Sequence, residues 1–313
     1  MNKLAKKFRD MPVALTGLAL GIGGVSGALG MLLGEFPLYF GIAIATILIS
    51  IIVIKNFLHF NQMMEELKHP TLGSFIPTLD MALMVVSGFV VKFLPTVGKE
   101  IWLLAIILHV IFCTFFFYYR IKNFKIHHMI PSWFVPPIGI VVACVSGKAM
   151  GFPVLNEWIF YFGFISYLIL LPIMMYRIMF VEHIDDNRLP TFAIMAAPPS
   201  LCLAGYLTIF PNPSILIIDF LLPLALFMTA WVYISFIRIC KIPFNPSYAS
   251  FTFPLAIGST AILKYSNYIK NIHPEEALFW KYLGIFLVTI ATIVISTILI
   301  KMIKYVYKYI IKG

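Results

Sequence analysis

Apolar residues fall along this chain in blocks of about twenty, separated by short polar stretches. They do not alternate at the period of two that marks a lipid-facing barrel strand. Ten blocks stand out: residues 12–33, 36–58, 75–94, 101–119, 132–148, 158–177, 191–210, 215–239, 248–268 and 278–305. A helix of about 20 residues crosses the hydrocarbon core of a bilayer. The pattern therefore predicts an all-α polytopic membrane protein of ten transmembrane helices. The linkers are short, so residues 1–313 read as a single transmembrane domain. A cytoplasmic segment, 1–11, precedes it, and an interfacial tail from about 301 to 313 ends it.

Composition excludes the soluble alternatives. Of 313 residues, 61% are hydrophobic and 12% charged, against roughly 45–50% and about 25% in soluble domains. So little charge cannot cover a water-soluble body of this size. Soluble enzyme, nucleic-acid binder and disordered tail fall together. The net charge of +10 then speaks first of orientation. With ten spans, 17 of the 23 Lys and Arg lie on the side that holds both termini. The positive-inside rule places that side, and both termini, in the cytoplasm of a multi-pass protein of the cell membrane. No cleavage site follows the first apolar block, which reads as a retained helix. The four cysteines form no CxxC and predict neither disulfide nor zinc site. No cofactor and no metal is expected.

An internal repeat carries the functional reading. The third, fifth, seventh and ninth segments each open near a Pro and contain a second one: Pro77, Pro137, Pro198 and Pro254, spaced by 60, 61 and 56 residues. In the first segment a glycine run stands at the corresponding place, with Gly21 as the aligned position. Second, fourth and tenth segments have no internal Pro; the sixth and eighth have one each, Pro172 and Pro223. An internal Pro removes a backbone hydrogen bond and kinks a helix, and freed carbonyls are tolerable where they line a cavity. The repeat predicts five helical hairpins in a quasi-fivefold arrangement, five kinked helices enclosing a pore and five plain ones facing lipid.

The five inner helices would all begin on the cytoplasmic side, each N-terminus carrying about half a positive charge. Arg9, Lys68, His127 with His128, Arg188 and Lys241 precede them. Together they form a mouth that attracts anions. Lys148 and Lys264 close two of these helices at the outer end, and Lys92 closes a third. The residues just before the aligned kinks are Leu20, Ile76, Pro136, Ala197 and Phe253. Phe253 alone is aromatic, so its ring is the candidate gate, with the other four as neighbours in an apolar constriction that closes by dewetting.

These stretches resemble the tellurite-resistance/dicarboxylate transporter family, which includes bacterial TehA proteins, yeast-type malate and sulfite transporters and plant slow-type (SLAC) anion channels. PSWFVPPIGIVVACVSG (131–147), RLPTFAIMAAPPSLCLAGY (188–206) and SFTFPLAIGSTAILKY (250–265) carry the likeness. Tyr248 and Ala249 stand where the family usually has two Trp. The resemblance implies five hairpins around a pore blocked by one Phe, here Phe253. It also implies small inorganic or organic anions as substrates, no cofactor, and a homo-oligomer, trimeric in bacterial relatives. The tellurite name says nothing about the substrate.

Other polar residues compete for roles. Asp80 lies three residues beyond Pro77 at bilayer depth and is a candidate proton site. An ionised carboxylate would repel an anion, which favours a structural or protonated Asp80. His109 and Asp219, on even segments, are expected to pack or to bond between helices. Gly17, Gly21, Gly23 and Gly27 have the spacing of close helix packing. The main reading is an anion channel gated by a phenylalanine. The alternative is a secondary transporter of C4-dicarboxylate, sulfite or a related anion, proton-coupled through Asp80. A membrane enzyme would need a cluster of His, Asp, Glu or Ser at bilayer depth, and only scattered single residues occur.

Overall fold

A computed structural model describes residues 3–311, with side chains from residue 6 onward. Lys312 and the side chain of Lys3, both counted among the cytoplasmic charges, lie outside the described residues. The described residues form helices joined by short turns, with no strand among them. The spans are α1 (Ala14–Leu33), α2 (Phe36–Leu58), α3 (Leu72–Val90), α4 (Pro95–Lys122), α5 (Pro131–Met150), α6 (Pro153–Phe180), α7 (Leu189–Ile209), α8 (Ile215–Ile239), α9 (Thr252–Ile269) and α10 (Pro274–Ile311). Two short helices, Lys3–Arg9 and Phe60–Lys68, lie on the side where the chain begins. Nine of the ten are long and apolar enough to cross a bilayer; α9 falls short in apolarity. Its surroundings explain why. Fourteen of its 18 residues are buried by protein, so it does not have to dissolve in lipid.

Burial alternates along the chain. The apolar windows of α1, α3, α5 and α7 are 67–78% buried within the protein, whereas those of α2, α4, α6, α8 and α10 are 28–39% buried. Each odd helix packs on the even helix that follows it. The odd helices also pack on one another, α1 on α3, α3 on α5, α5 on α7, α7 on α9, and α9 back on α1. Hydroxyls join some of these seams. Thr16 and Thr78 lie 2.6 Å apart between α1 and α3, Ser74 and Ser132 2.6 Å apart between α3 and α5, and Thr252 donates to the Gly17 carbonyl at 2.9 Å.

Two of the repeated Pro residues, Pro198 and Pro254, mark where a 3-10 run gives way to α-helix. In α7 a 3-10 run, Leu189–Ala196, passes into α-helix at Ala197, with Pro198 in the first turn. Before α9 the 3-10 run Pro246–Phe251 passes into α-helix at Thr252, with Pro254 in the first turn. Pro77 is the N-cap of Thr78–Val90, and Pro137 lies in the short α-turn Val135–Ile138. A first-turn Pro costs little, because the N–H it lacks would have had no partner there. Gly21 does not behave as a kink: α1 runs unbroken from Ala14 to Leu33. Glycine keeps its N–H, so the ladder of hydrogen bonds continues through it. Its role is close approach, because a Cβ at Gly21 would run into Thr252 of α9.

A second repeat lies at the inner ends of the outer helices. Lys55 of α2 donates to the Met11 carbonyl at 2.9 Å, just before α1. Arg120 of α4 donates to the Lys68 carbonyl, before α3. Arg177 of α6 donates to the His127 carbonyl at 3.3 Å, before α5. Arg238 of α8 lies 3.9 Å from Asp186, before α7, and Lys301 of α10 sits 5.9 Å from the Phe244 ring, before α9. Each hairpin is thus latched by a cation of its second helix onto the chain entering its first. Lys55, Arg120 and Arg177 are buried. Lys7 donates to the Ile311 carbonyl at 2.6 Å, so both ends of the described chain lie on one face, as an even number of spans requires. The tail does not form a separate segment; α10 continues through its basic residues to Ile311.

Candidate functional site

The odd helices close around empty space. A narrow inner cavity, on the side where these helices begin, takes lining residues from all five repeats: Gly17 and Leu20; Phe75, Thr78 and Met81; Phe134, Val135, Ile138 and Gly139; Ile194, Ala197, Pro198 and Leu201; and Ala249, Ser250, Phe253 and Pro254. A wider outer cavity is lined by Gly23, Gly24 and Gly27 of α1, Val85 and Gly88 of α3, Val142 and Ser146 of α5, and Ile257, Thr260 and Lys264 of α9. Phe253 lines both. Its ring is buried and faces Gly24: a Cβ at that glycine would sit 3.8 Å from ring carbon Cδ2. Gly27 has nothing within 4 Å of where a side chain would begin. The glycine run therefore divides its work. Gly21 and Gly23 pack closely, Gly24 lies beside the ring and close to Ala256, whose Cβ would be 3.2 Å from a Cβ there, and Gly27 leaves room in the outer cavity.

The predicted constriction is partly shifted in register. Leu20, Ala197 and Phe253 line the inner cavity, as do Pro198 and Pro254. Ile76, Pro136, Pro77 and Pro137 do not; Phe75 and Thr78, and Val135 and Ile138, stand there instead. Alignment by Pro assumes the same helix phase in every repeat. The repeats differ here: α3 breaks at Ile76 and Pro77 between two α-helical stretches, α5 mixes 3-10 and α turns, and the α-helices of α7 and α9 follow 3-10 runs of three residues per turn, so their phases differ. Ser250 was not singled out by sequence. It lines the inner cavity one turn before Phe253, and its hydroxyl is buried with no partner. Its only sequence signal is its place beside the Phe-Thr-Phe-Pro run.

The basic mouth is less positive than the count of cations implies. Lys68 pairs with Glu65 at 2.6 Å, Arg188 pairs with Asp185, and Arg9 donates to Gln62 at 3.2 Å. His127 and His128 meet edge to face, with ring centroids 4.5 Å apart. Burial, with the neighbouring charges of His127 and Lys125, holds His128 below the ordinary histidine range, so it is neutral near pH 7. Lys241 is exposed. None of these residues lines either central cavity. A count of cations alone leaves out the carboxylates of Glu65 and Asp185 beside them.

Asp80 and His109 form one unit. His109 Nδ1 lies 2.5 Å from Asp80 Oδ1, and its Nε2 lies 2.8 Å from the Pro136 carbonyl oxygen. A carbonyl only accepts, so Nε2 carries hydrogen. The Nδ1 to Oδ1 contact then holds one further proton, on one atom or the other. Either placement leaves the pair with zero net charge. The pair is buried and binds α3, α4 and α5 at the place where α5 passes from α-turn to 3-10 turn. It stands behind the inner cavity, whose lining includes the neighbouring Met81 and Gly139.

Sequence comparison gives this geometry a family. The family described as SLAC1, voltage-dependent anion channel, matches residues 10–303. Two uncharacterized transporters of Methanocaldococcus jannaschii are similar to the chain. One is 24% identical over 246 residues, covering 70% of this chain and 71% of the relative. The other is 23% identical over 244 residues, covering 69% and 70%. The family match spans all ten helices and both central cavities, and the protein belongs to the SLAC1 family of voltage-dependent anion channels.

Proposed function

We propose that this protein is an anion channel whose conduction path runs along the centre of five hairpins in quasi-fivefold order and is stopped by the Phe253 ring. The observation that carries the reading is the place of that ring, which belongs at once to the inner and the outer cavity. An apolar plug between two cavities blocks ions by excluding water, and its displacement restores a wet path. Gly24 supplies space beside the ring in which such a displacement can begin. Leu20, Phe75, Ile138 and Ala197 complete an apolar collar. Ser250 offers a hydroxyl to an anion arriving from the inner side.

The neutral Asp80–His109 pair favours a channel over a proton-coupled carrier. Cycling a proton through it would leave a net charge among apolar side chains, which costs several kcal/mol. The pair acts in this account as a clasp on α5. Both termini are placed in the cytoplasm by the charge bias, and the trimer implied by resemblance is part of the same reading. The test is current in oocytes or planar bilayers. Phe253→Ala raises anion current well above wild type, and reversal potentials under ion substitution rank the permeant anions. Asp80→Asn with His109→Gln leaves the response to pH unchanged. Saturable, pH-driven uptake abolished by Asp80→Asn would establish the carrier instead.

A further inference from the structure

We infer that a pocket between α6, α7 and α8 holds one membrane phospholipid whose headgroup carries a primary ammonium, with the phosphate on Arg177 and Arg238 and the ammonium on Glu182. The pocket shares no residue with either central cavity, and nothing in the argument depends on the gate. It lies where α6 ends and α7 begins, on the face that holds both ends of the described chain. Ile178, Leu189 and Phe192 give it apolar walls, and Arg177, Glu182, His183 and Arg238 are its polar members. Two of the helices that enclose it, α6 and α8, are the ones least covered by protein on this side of the molecule. Phe180 and Ile237, close in the chain to Ile178 and Arg238, are 71% and 72% exposed. Acyl chains therefore meet apolar surface beside the place where a headgroup would enter.

The charges select the headgroup. Arg177 is only 2% exposed. Its Nη1 donates to the Glu182 carbonyl at 2.6 Å and its Nη2 to the His127 carbonyl at 3.3 Å, and its Nε has no partner. Carbonyls are neutral, and Arg177 has no ion pair among the described residues. Lys55, at the corresponding place in the first hairpin, is buried as well but has the Glu66 carboxylate at 2.7 Å. A buried cation without a counter-charge is costly, and a phosphate supplies one that guanidinium groups match in shape. Arg238 is the second donor: it is exposed, and its nearest carboxylate, Asp186, stands 3.9 Å away. Basic pockets between helices at the cytoplasmic side of a membrane take lipid headgroups in this way. Glu182 narrows the choice. It is exposed, lines the same pocket and has no ion pair among the described residues. A headgroup with negative charge alone would meet repulsion from that carboxylate. An ammonium a few atoms from the phosphate turns the repulsion into attraction, and a primary ammonium also donates N–H to it, which a quaternary one cannot. One phosphate bound to both arginines joins the end of α6 to the end of α8, so the lipid acts as a clasp between neighbouring hairpins.

Native mass spectrometry of the delipidated full chain tests this, by titration with phosphatidylethanolamine, phosphatidylcholine and phosphatidylglycerol of identical acyl chains. The first phosphatidylethanolamine is expected to bind more tightly than either of the others. Arg238→Gln should weaken it about tenfold, the worth of one charge-assisted hydrogen bond. Glu182→Gln should bring phosphatidylethanolamine down to the level of phosphatidylcholine. Lys122→Gln, which removes an exposed cation of α4 outside the pocket, should leave binding unchanged. All three variants keep the buried Arg177, so folding is not at stake. Phosphatidylglycerol binding as tightly as phosphatidylethanolamine overturns the inference, and so does an equal loss in Lys122→Gln and Arg238→Gln. Soluble phosphoethanolamine binding as tightly as the lipid would also overturn it, making the ligand a free phosphate ester.

Discussion

Single residues set the chemistry through what they touch. Phe253 was legible in the sequence because it is the one aromatic before an aligned Pro. Gly24 facing its ring was not, since a glycine run does not say which member meets which neighbour. Asp80 was legible as an intramembrane carboxylate, but its partner His109 lies 29 residues away on another helix, a pairing that spacing alone cannot show. His69 follows Lys68 of the basic mouth and has no distinguishing signal in the sequence. Its Nδ1 accepts from the backbone N–H of Thr71 and Leu72, both at 3.2 Å, at the start of α3. Burial, then the charges of Arg120 and Arg188, hold it below the ordinary histidine value. An unfolded histidine titrates near about 6.5, so the unfolded chain takes up the proton first as pH falls. The stability His69 contributes is complete above that value and is lost as pH falls through the lowered folded value. Melting in detergent should therefore move to lower temperature on acidification, and His69→Asn, which keeps an acceptor but does not titrate, should flatten that part of the profile. An unchanged profile in His69→Asn would contradict the assignment.

At the scale of elements, segment existence and order were readable from apolar block length, and the boundaries of α2 and α8 agree with the residues expected. Even helices such as α4 and α6 extend further than their apolar blocks, because polar ends continue as helix beyond the hydrocarbon. The meaning of the repeated Pro changed more. Sequence identifies a residue that cannot donate; only the backbone shows that Pro198 and Pro254 sit in the first turn of an α-helix that follows a 3-10 run, and that Pro77 caps one. The latches were hidden for a related reason. Lys55, Arg120 and Arg177 counted toward orientation, yet each is buried against the entrance of its own hairpin. Lys55 also pairs with Glu66 at 2.7 Å. Lys55→Met should leave the mostly buried Glu66 carboxylate unpaired and free the Met11 carbonyl, a loss of about 3–5 kcal/mol, read as a lowered melting temperature. Lys301→Met, whose contact is an aromatic ring at an exposed position, should cost well under half as much. Equal effects would remove the distinction between latch and surface charge.

For the whole molecule, the arrangement follows from a division that the even and odd helices make between them. Helices with Pro, Gly and hydroxyls are covered by protein, and plain apolar helices cover them and face lipid, each hairpin adding one of both. The alternation of burial and the return of α9 onto α1 give this division its shape. That both ends share a face, through Lys7 and Ile311, fits the charge bias read from the sequence. The central claim concerns one ring within this whole: Phe253 lines both central cavities and is proposed to close the path between them. Conductance across the series Phe253→Leu, Val, Ala and Gly measures that claim most directly. Anion conductance rising step by step as the side chain shrinks, with cations remaining excluded, is the predicted result; conductance that stays at the wild-type level through the series would contradict it.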